Sequence, residues 1–333
     1  TYLNAAVHDT FKTFSQHIKT AMEKEKLSHI PLYILKADGG TMDLASAEHK
    51  PVETILSGPA ASLMGINALL HTKQDAILLD IGGTTTDIFF LVDGVPFFEP
   101  VGIQIDRYKT LVRSIYSQSI GIGGDSHIKV VHGQLQIGPE RKGKPMAFGG
   151  PYPTPTDAMI VLGHITEGDS SKAFEGMKKL AESLQLTVEA VAKNVLTTMA
   201  TMIQNKVNSL LAKINSRPVY TVQEILENRT IEPKLINLIG GPAKVLAPYL
   251  EKEFKLPSHY PENYEVANAI GAALAQTTTE ITLLADTSQK TLSVPELGIY
   301  ETIDRHFTLA RARVKALQLL KEQAVKLGAD VDA

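Results

Sequence analysis

Residues 77–94 read ILLDIGGTTTDIFFLVDG. The apolar run Ile77 to Leu79 leads into Asp80. Gly82, Gly83, Thr84, Thr85 and Thr86 follow, then Asp87, a second apolar run from Ile88 to Val92, and a turn at Asp93–Gly94. The pattern is that of a strand, a tight polar turn and a returning strand. The residue types in that turn suit phosphate chemistry. Gly82 and Gly83 let backbone approach a ligand closely and present N–H groups to an anion. The three threonines add hydroxyl donors. Asp80 and Asp87 cannot take a phosphate themselves, but they can hold a hydrated Mg2+ that does, or orient a water. A Gly-Gly pair alone would mark only an ordinary hairpin; D-x-G-G-T-x-x-D between two apolar strands carries more.

Other glycine-rich segments ask the same question of the backbone. Gly121, Ile122, Gly123, Gly124, Asp125 and Ser126 place three glycines in four positions, between apolar flanks that run from Ser119 to Val131. Backbone there must approach something closely. Leu235 to Ile239 reads as a buried strand that ends in Gly240, Gly241 and Pro242. Ser57-Gly58-Pro59 opens a helix, with Ser57 suited to the cap and Pro59 to the first turn. Ser57 and Gly58 either cap that helix or face a nucleotide or substrate at its N-terminus. Residues 138–157 are rich in Gly and Pro and carry Arg141, Lys142 and Lys144. An irregular loop of that length inside a compact domain is functional or mobile. It closes at Thr154-Pro155-Thr156-Asp157, where Asp157 is either the N-cap of the apolar stretch 158–162 or an acid of the site.

The elements that must position these residues are legible in outline. Val7, Phe11, Phe14, Ile18 and Met22 recur at helical spacing and predict an opening helix with one apolar face. Pro31 to Leu35 predicts a short buried strand, ended by Asp38-Gly39-Gly40. Leu63, Ile66, Ala68 and Leu70 carry the helix that Ser57 opens. Residues 187–214 predict the clearest helix: Thr187 caps it, Val188, Val191, Val195, Met199, Met202, Val207, Leu210 and Ile214 run down one face, and its methionines fill core. Residues 217–233 read as a variable connector. Tyr264 to Ala275, with Gly271, Ala272 and Ala273, predicts a small-residue helix that permits close packing and crosses back to the first domain. Phe307 to Leu327 predicts a terminal amphipathic helix.

Bulk properties exclude several function classes. The 333 residues suffice for two domains with large cores. Net charge is −3, so neither a nucleic-acid surface nor an acidic tail is implied. The absence of cysteine excludes disulfides, thiolate metal sites and cysteine nucleophiles. No apolar run approaches the roughly 20 residues needed to span a membrane. The opening lacks the basic-then-apolar order of a signal peptide. These features agree with a cytoplasmic enzyme. The ten histidines form no H-x-x-x-H or H-x-H pair that would mark a zinc hydrolase, and no G-x-S-x-G elbow is present. The triplet Asn228-Arg229-Thr230 is a chance match to a glycosylation sequon.

The DIGGTTTD hairpin resembles the phosphate-binding hairpin of the actin-like ATPase superfamily of sugar kinases, actin and the seventy-kilodalton heat-shock chaperones. The order of segments narrows the resemblance to the hydantoinase A/5-oxoprolinase family. Asp38-Gly39-Gly40 comes first, then Pro51-Val52-Glu53-Thr54 running into Ser57-Gly58-Pro59-Ala60, then the hairpin. Ile120 to Ser126 follows, then Ile137-Gly138-Pro139-Glu140, Pro155-Thr156-Asp157-Ala158 and Gly240-Gly241-Pro242-Ala243. The resemblance covers about residues 1–275. It implies an α/β fold of the actin-like (ribonuclease H-like) kind: a mixed five-stranded sheet flanked by helices, with part of a second similar domain. The implied division is 1–70 plus 262–280 as a partial first domain, 71–261 as the second, and 281–333 as a C-terminal extension.

The resemblance also implies an activity: an ATP-dependent hydrolase that opens a cyclic amide of hydantoin or 5-oxoproline type through a phosphorylated intermediate. Its cofactors would be ATP and Mg2+. Asp80, with Asp87, would serve the metal through water; Gly82, Gly83, Thr84, Thr85 and Thr86 would serve the phosphates. Gly121, Gly123, Gly124 and Ser126 would shape the cleft, and Gly240, Gly241 and Pro242 would hold adenosine. Asp125 or Asp157 would be the general base or a second metal ligand. Asp125 stands where the family usually has another glycine. Full-length members resemble a pair of such hairpins, whereas this sequence has one, so the chain is expected to be a fragment or separately encoded segment. The expected partners are the small cyclic amide and an upstream half-domain or hydantoinase B-like subunit, with neither nucleic acid nor membrane. An oligomer is compatible with this. The rival readings are a subunit of an ATP-dependent carboxylase and a nucleotide-binding scaffold without turnover.

Overall fold

The computed structural model describes residues 2–99, 102–105, 108–216 and 230–330. Residues 217–229 lie outside it, and with them most of the expected connector and Asn228 and Arg229 of the sequon. In chain order, α1 (Tyr2–Lys24) leads to the hairpin β1 (Tyr33–Leu35) and β2 (Thr41–Asp43), then α2 (Leu44–His49), a single 3-10 turn at Pro51–Thr54, and α3 (Ser57–Leu70). The strands β3 (Ala76–Ile81), β4 (Thr86–Val92) and β5 (Val95–Pro96) form a meander, followed by the short pair β6 (Gln104–Ile105) and β7 (Tyr108–Lys109). Next come β8 (Gln118–Ile120), the hairpin β9 (Ile128–Val131) and β10 (Gln134–Ile137), and the helices α4 (Pro155–Val161), α5 (Ser170–Leu184) and α6 (Val188–Asn215). The strand β11 (Leu235–Ile239), α7 (Ala243–Phe254), β12 (Ser258–His259) and α8 (Ala267–Leu274) follow. The chain ends in a meander of β13 (Leu284–Asp286), β14 (Thr291–Val294) and β15 (Ile299–Thr302), then α9 (Leu309–Lys326).

The chain divides into two compact units, one of residues 58–274 and one of 1–57 with 275–333. The larger is built on a mixed sheet in the order β12-β11-β3-β4-β5, with β8 also paired to β4. β12 and β11 run parallel to β3, while β3–β4, β4–β5 and β4–β8 are antiparallel. The sheet has six strands where five were expected. β8 pairs with the start of β4 and β5 with its end, so both occupy one side of that strand. Alternation sends Ile77, Leu79, Ile81, Ile88 and Phe90 to one face, where α4, α5, α6 and α7 cover them with Met159, Met177, Val195, Met199 and Leu246. Helices flank the sheet as in the actin-like fold that the hairpin implied.

α6 starts where its sequence signals place it: the Thr187 hydroxyl accepts from the Ala190 N–H at 3.2 Å. α3 and α8 pack backbone to backbone. A Cβ at Gly65 would fall on the Ala267 carbonyl, and one at Gly271 on the Ala61 carbonyl. The small residues of α8 therefore serve packing within this unit.

In the smaller unit, β1 is a two-stranded edge with no buried residue, not the buried strand expected of Pro31–Leu35. The buried residues come just after it. Lys36 is only 5% exposed, and its Nζ reaches the Asp38 carboxylate at 3.2 Å and the Thr278 carbonyl at 2.7 Å. Asp38 also accepts from the Gly40 N–H and the Thr278 hydroxyl, each at 3.0 Å. The Asp38-Gly39-Gly40 turn thus ties residue 278 into this unit. α1 packs its apolar face only halfway: Val7, Phe11, Ile18 and Met22 are half-buried, and Phe14 is exposed. α9 buries no residue.

Candidate functional site

The turn between β3 and β4 is closed by Gly82 N–H donating to the Thr85 carbonyl at 2.9 Å. The 121–126 loop lies directly against it. Gly124 N–H donates to the Gly82 carbonyl at 2.9 Å, Asp125 N–H to the Gly83 carbonyl at 2.6 Å, and the Thr86 hydroxyl to the Ile122 carbonyl at 2.7 Å. Contact this close requires glycine. A Cβ at Gly123 would sit 2.5 Å from the carbonyl oxygens of Gly82 and Gly83, and one at Gly121 would sit 2.8 Å from the Pro139 side chain. A Cβ at Gly124 would meet the Thr156 hydroxyl at 2.8 Å and Pro242 at 3.3 Å. The third glycine segment therefore reaches the same place. Gly240, at φ +91°, packs where a Cβ would overlap the Ile81 carbonyl and lie 2.8 Å from the Asp80 carboxylate. Gly241 is exposed, with no atom within 4 Å of a Cβ built on it.

The two aspartates face each other across the β3–β4 ladder. Ser62 on α3 donates to Asp80 at 2.5 Å, and Ser119 on β8 donates to Asp87. Burial pushes both carboxyls above their ordinary value, against the lowering effect of the serine bond on each. The charge of Asp87 raises Asp80 further. A cation placed between them would relieve that cost. The donor set fits hydrated Mg2+, which takes one or two protein carboxylates beside phosphate oxygens. Among the described residues no group of three or more His, Cys, Asp or Glu gathers that could form an all-protein metal cage.

Several expected ligands are otherwise engaged. Thr86 is fully buried, with its hydroxyl spent on Ile122, and Ser126 is buried, with its hydroxyl accepting from Gly123 N–H at 2.9 Å. Both are struts. Gly121, Gly123 and Gly124 admit protein backbone and side chains, so their close approach is of chain to chain. Asp157 is fully buried. Its carboxylate accepts from the N–H groups of Met146, Ala147 and Thr154 at 3.0, 2.8 and 2.9 Å and from the Thr154 hydroxyl at 3.0 Å. Thr154, not Asp157, is the N-cap of α4, and Asp157 completes the capping box. Those four bonds hold the carboxylate, which the sequence offered as a base or metal ligand, within residues 146–157. Asp125 is also engaged, by Arg141. α3 begins at Ser57, which places that residue inside the helix and not at its cap; a Cβ built on Gly58 meets nothing within 4 Å.

The residues that reading by motif missed are Ser62, Ser119, Thr156 and Arg141. Thr156 gives the Gly124 carbonyl both its N–H and its hydroxyl, each at 2.8 Å. Thr156 stands inside the Pro155–Ala158 segment; for the others the sequence signal is proximity to a glycine motif or, for Ser62, a polar residue on the apolar face of α3.

Comparison with known proteins gives this geometry a lineage. The hydantoinase/oxoprolinase family model matches residues 1–281. Caprolactamase subunit alpha of Pseudomonas jessenii is 24% identical over 252 residues, 72% of this chain and 35% of that protein. Acetophenone carboxylase gamma subunit of Aromatoleum aromaticum is 30% identical over 188 residues, 49% of this chain and 25% of that protein. Among solved structures, nucleotide-free acetone carboxylase superposes with a TM-score of 0.69 at 19% identity, covering 98% of this chain and 45% of its own. The ATP-dependent caprolactamase of Pseudomonas jessenii superposes with a TM-score of 0.64 at 22% identity, covering 98% and 46%. The chain thus spans less than half the length of each of these proteins, and with five-sixths of it matched by the family model, it belongs to the hydantoinase/oxoprolinase family.

Proposed function

We propose that this chain supplies the nucleotide-binding segment of an ATP-dependent enzyme that opens a small cyclic amide. The observation that carries the reading is the meeting of three glycine segments and two opposed carboxylates at one end of the β3–β4 hairpin. Gly83 to Thr85 offer N–H and hydroxyl donors to phosphate. Gly241 and Pro242, at the start of α7, leave open backbone against which adenosine can lie. Asp80 and Asp87 take the metal, whose charge offsets the cost of holding two buried carboxylates side by side. Bound there with Mg2+, ATP supplies the phosphoryl group that makes an amide oxygen a good leaving group. The work of these residues is positioning and charge stabilisation.

The test is calorimetry on the full chain. Asp80→Asn should weaken Mg-ADP binding by about tenfold or more and leave adenosine binding nearly unchanged. Equal losses for both ligands would make Asp80 a structural residue and remove the reading. Carboxylation is the second reading, favoured by the similarity to acetone carboxylase and to the acetophenone carboxylase subunit. ATP consumption by the assembled enzyme that requires bicarbonate and a ketone, and ignores lactams and hydantoins, would establish it.

A further inference from the structure

Arg141 belongs to no glycine motif, yet its guanidinium links the hairpin turn to the 121–126 loop. Nη2 pairs with Asp125 Oδ2 at 2.7 Å, Nη1 donates to the Thr84 hydroxyl at 3.2 Å, and Nε donates to the Gly143 carbonyl at 3.4 Å. Two N–H groups of the planar fork are hydrogen-bonded and Nη2 is ion-paired, so the five donors are not all used up. Asp125 is more firmly held than the arginine it carries. Its N–H is bonded to the Gly83 carbonyl, and its side chain is 18% exposed against 45% for Arg141. Gly83 makes room for it: a Cβ there would meet Asp125 Oδ2 at 2.8 Å.

A half-exposed ion pair adds about 0–1 kcal/mol to stability, too little to explain so specific an arrangement. Orientation explains it better. The turn is surrounded by the carboxylates of Asp80, Asp87 and Asp125, and a triphosphate brings several more negative charges. Lys142 on the same loop pairs with Glu140 at 3.4 Å and lies over the Tyr152 ring. Arg141 is thus the cation delivered to the turn itself. Guanidinium matches phosphate with two parallel donors, which an ammonium cannot do.

We propose that Arg141 binds the terminal phosphate of the nucleotide, with Asp125 as the positioning residue that holds its fork over the 82–86 turn. The proposal rests on the nucleotide reading above. In it, Asp125 is neither base nor metal ligand, and the aspartate at 125 and the arginine at 141 form one device.

Calorimetry with Mg-ATP, Mg-ADP and adenosine on the full chain tests it. Arg141→Met, which keeps the stem, should weaken Mg-ATP binding by about tenfold or more and leave adenosine unchanged. Arg141→Lys should recover only part of that loss. Asp125→Asn separates positioning from simple charge. Removing a negative charge beside phosphate would by itself tighten binding, whereas loss of positioning weakens it, and we expect weakening. Arg141→Met binding Mg-ATP like the parent, while Asp80→Asn loses Mg-nucleotide, would leave the site standing and overturn the role of Arg141. Tighter binding by Asp125→Asn would overturn the positioning. A parent chain that binds neither nucleotide would overturn both readings. If Arg141→Met lowers the melting temperature appreciably, the Arg141→Lys comparison decides, since a purely structural arginine predicts equal losses for Mg-ATP and adenosine.

Discussion

Asp80 and Asp87 stand opposite each other on adjacent antiparallel strands, yet each is held by a serine from a different element, Ser62 of α3 and Ser119 of β8. Opposed residues on such a ladder project to the same face. The two carboxylates are therefore neighbours whose common burial resists double ionisation, while their separate tethers keep them from turning away.

This arrangement has a pH signature. Both groups bind a proton more tightly in the folded chain than at their ordinary value of 3.8. Above that value the folded chain holds more protons than the unfolded one, so stability falls as pH rises, then levels off beyond the folded values. Asp80→Asn and Asp87→Asn remove that loss. Without metal, each variant should be more stable than the parent at neutral pH by on the order of 1 kcal/mol. The gain should shrink as pH approaches about 4. Urea unfolding across that range reads it, and two variants less stable than the parent at neutral pH would contradict it.

Ser62→Ala should act in the opposite sense on Asp80. The serine bond opposes the effect of burial, so its loss raises the proton affinity of Asp80 further. Mg-nucleotide binding should then need a higher pH than in the parent, with the midpoint of its pH profile moved up. An unchanged profile would show that Ser62 does not govern the carboxylate.

The glycines of the site should separate into two groups. Gly123→Ala and Gly240→Ala force a methyl onto neighbouring backbone, at positive φ in the second case, and each should cost roughly 2 kcal/mol or more with or without ligand. Gly241→Ala meets nothing. It should leave thermal unfolding of the free chain nearly unchanged and weaken adenosine binding. Calorimetric melts beside binding isotherms distinguish these outcomes, and a destabilised Gly241→Ala would deny the open surface.

Asp157→Ala strands three buried N–H groups and should destabilise the chain by roughly 3 kcal/mol or more. Thr154→Ala, which removes the N-cap hydroxyl, should cost about 1 kcal/mol. Denaturant titration measures both. If Asp157→Ala keeps full stability while abolishing turnover of the assembled enzyme, the catalytic role expected from its motif would be restored.

How much of this was legible beforehand depended on the range of the interaction. β11 was readable to the residue, and α6 within one residue at each end, because both carry long apolar patterns with a cap or a glycine pair at the boundary. β8 and β12 carry three and two residues, too few for any period, so the sixth strand was not. The Pro31–Leu35 run looked buried because its residues are apolar, but among the described residues β1 pairs with β2 alone. Glycine spacing identified which segments meet but not what they meet. A need for close approach reads the same whether the neighbour is a phosphate or the Gly82 carbonyl. Ser62, Ser119 and Arg141 are polar residues whose partners lie far away in sequence, and nothing local marks such a pairing.

The contact of Gly65 with the Ala267 carbonyl places no side chain between α3 and α8. No rotamer change can absorb a displacement at that point, so the two helices should shift together as one plate. Ser62 rides on that plate three residues from Gly65, and its bond to Asp80 turns helix position into carboxyl chemistry. The carboxyl stretching vibrations of Asp80 are therefore a built-in strain gauge, readable by infrared spectroscopy, for any ligand that shifts α3.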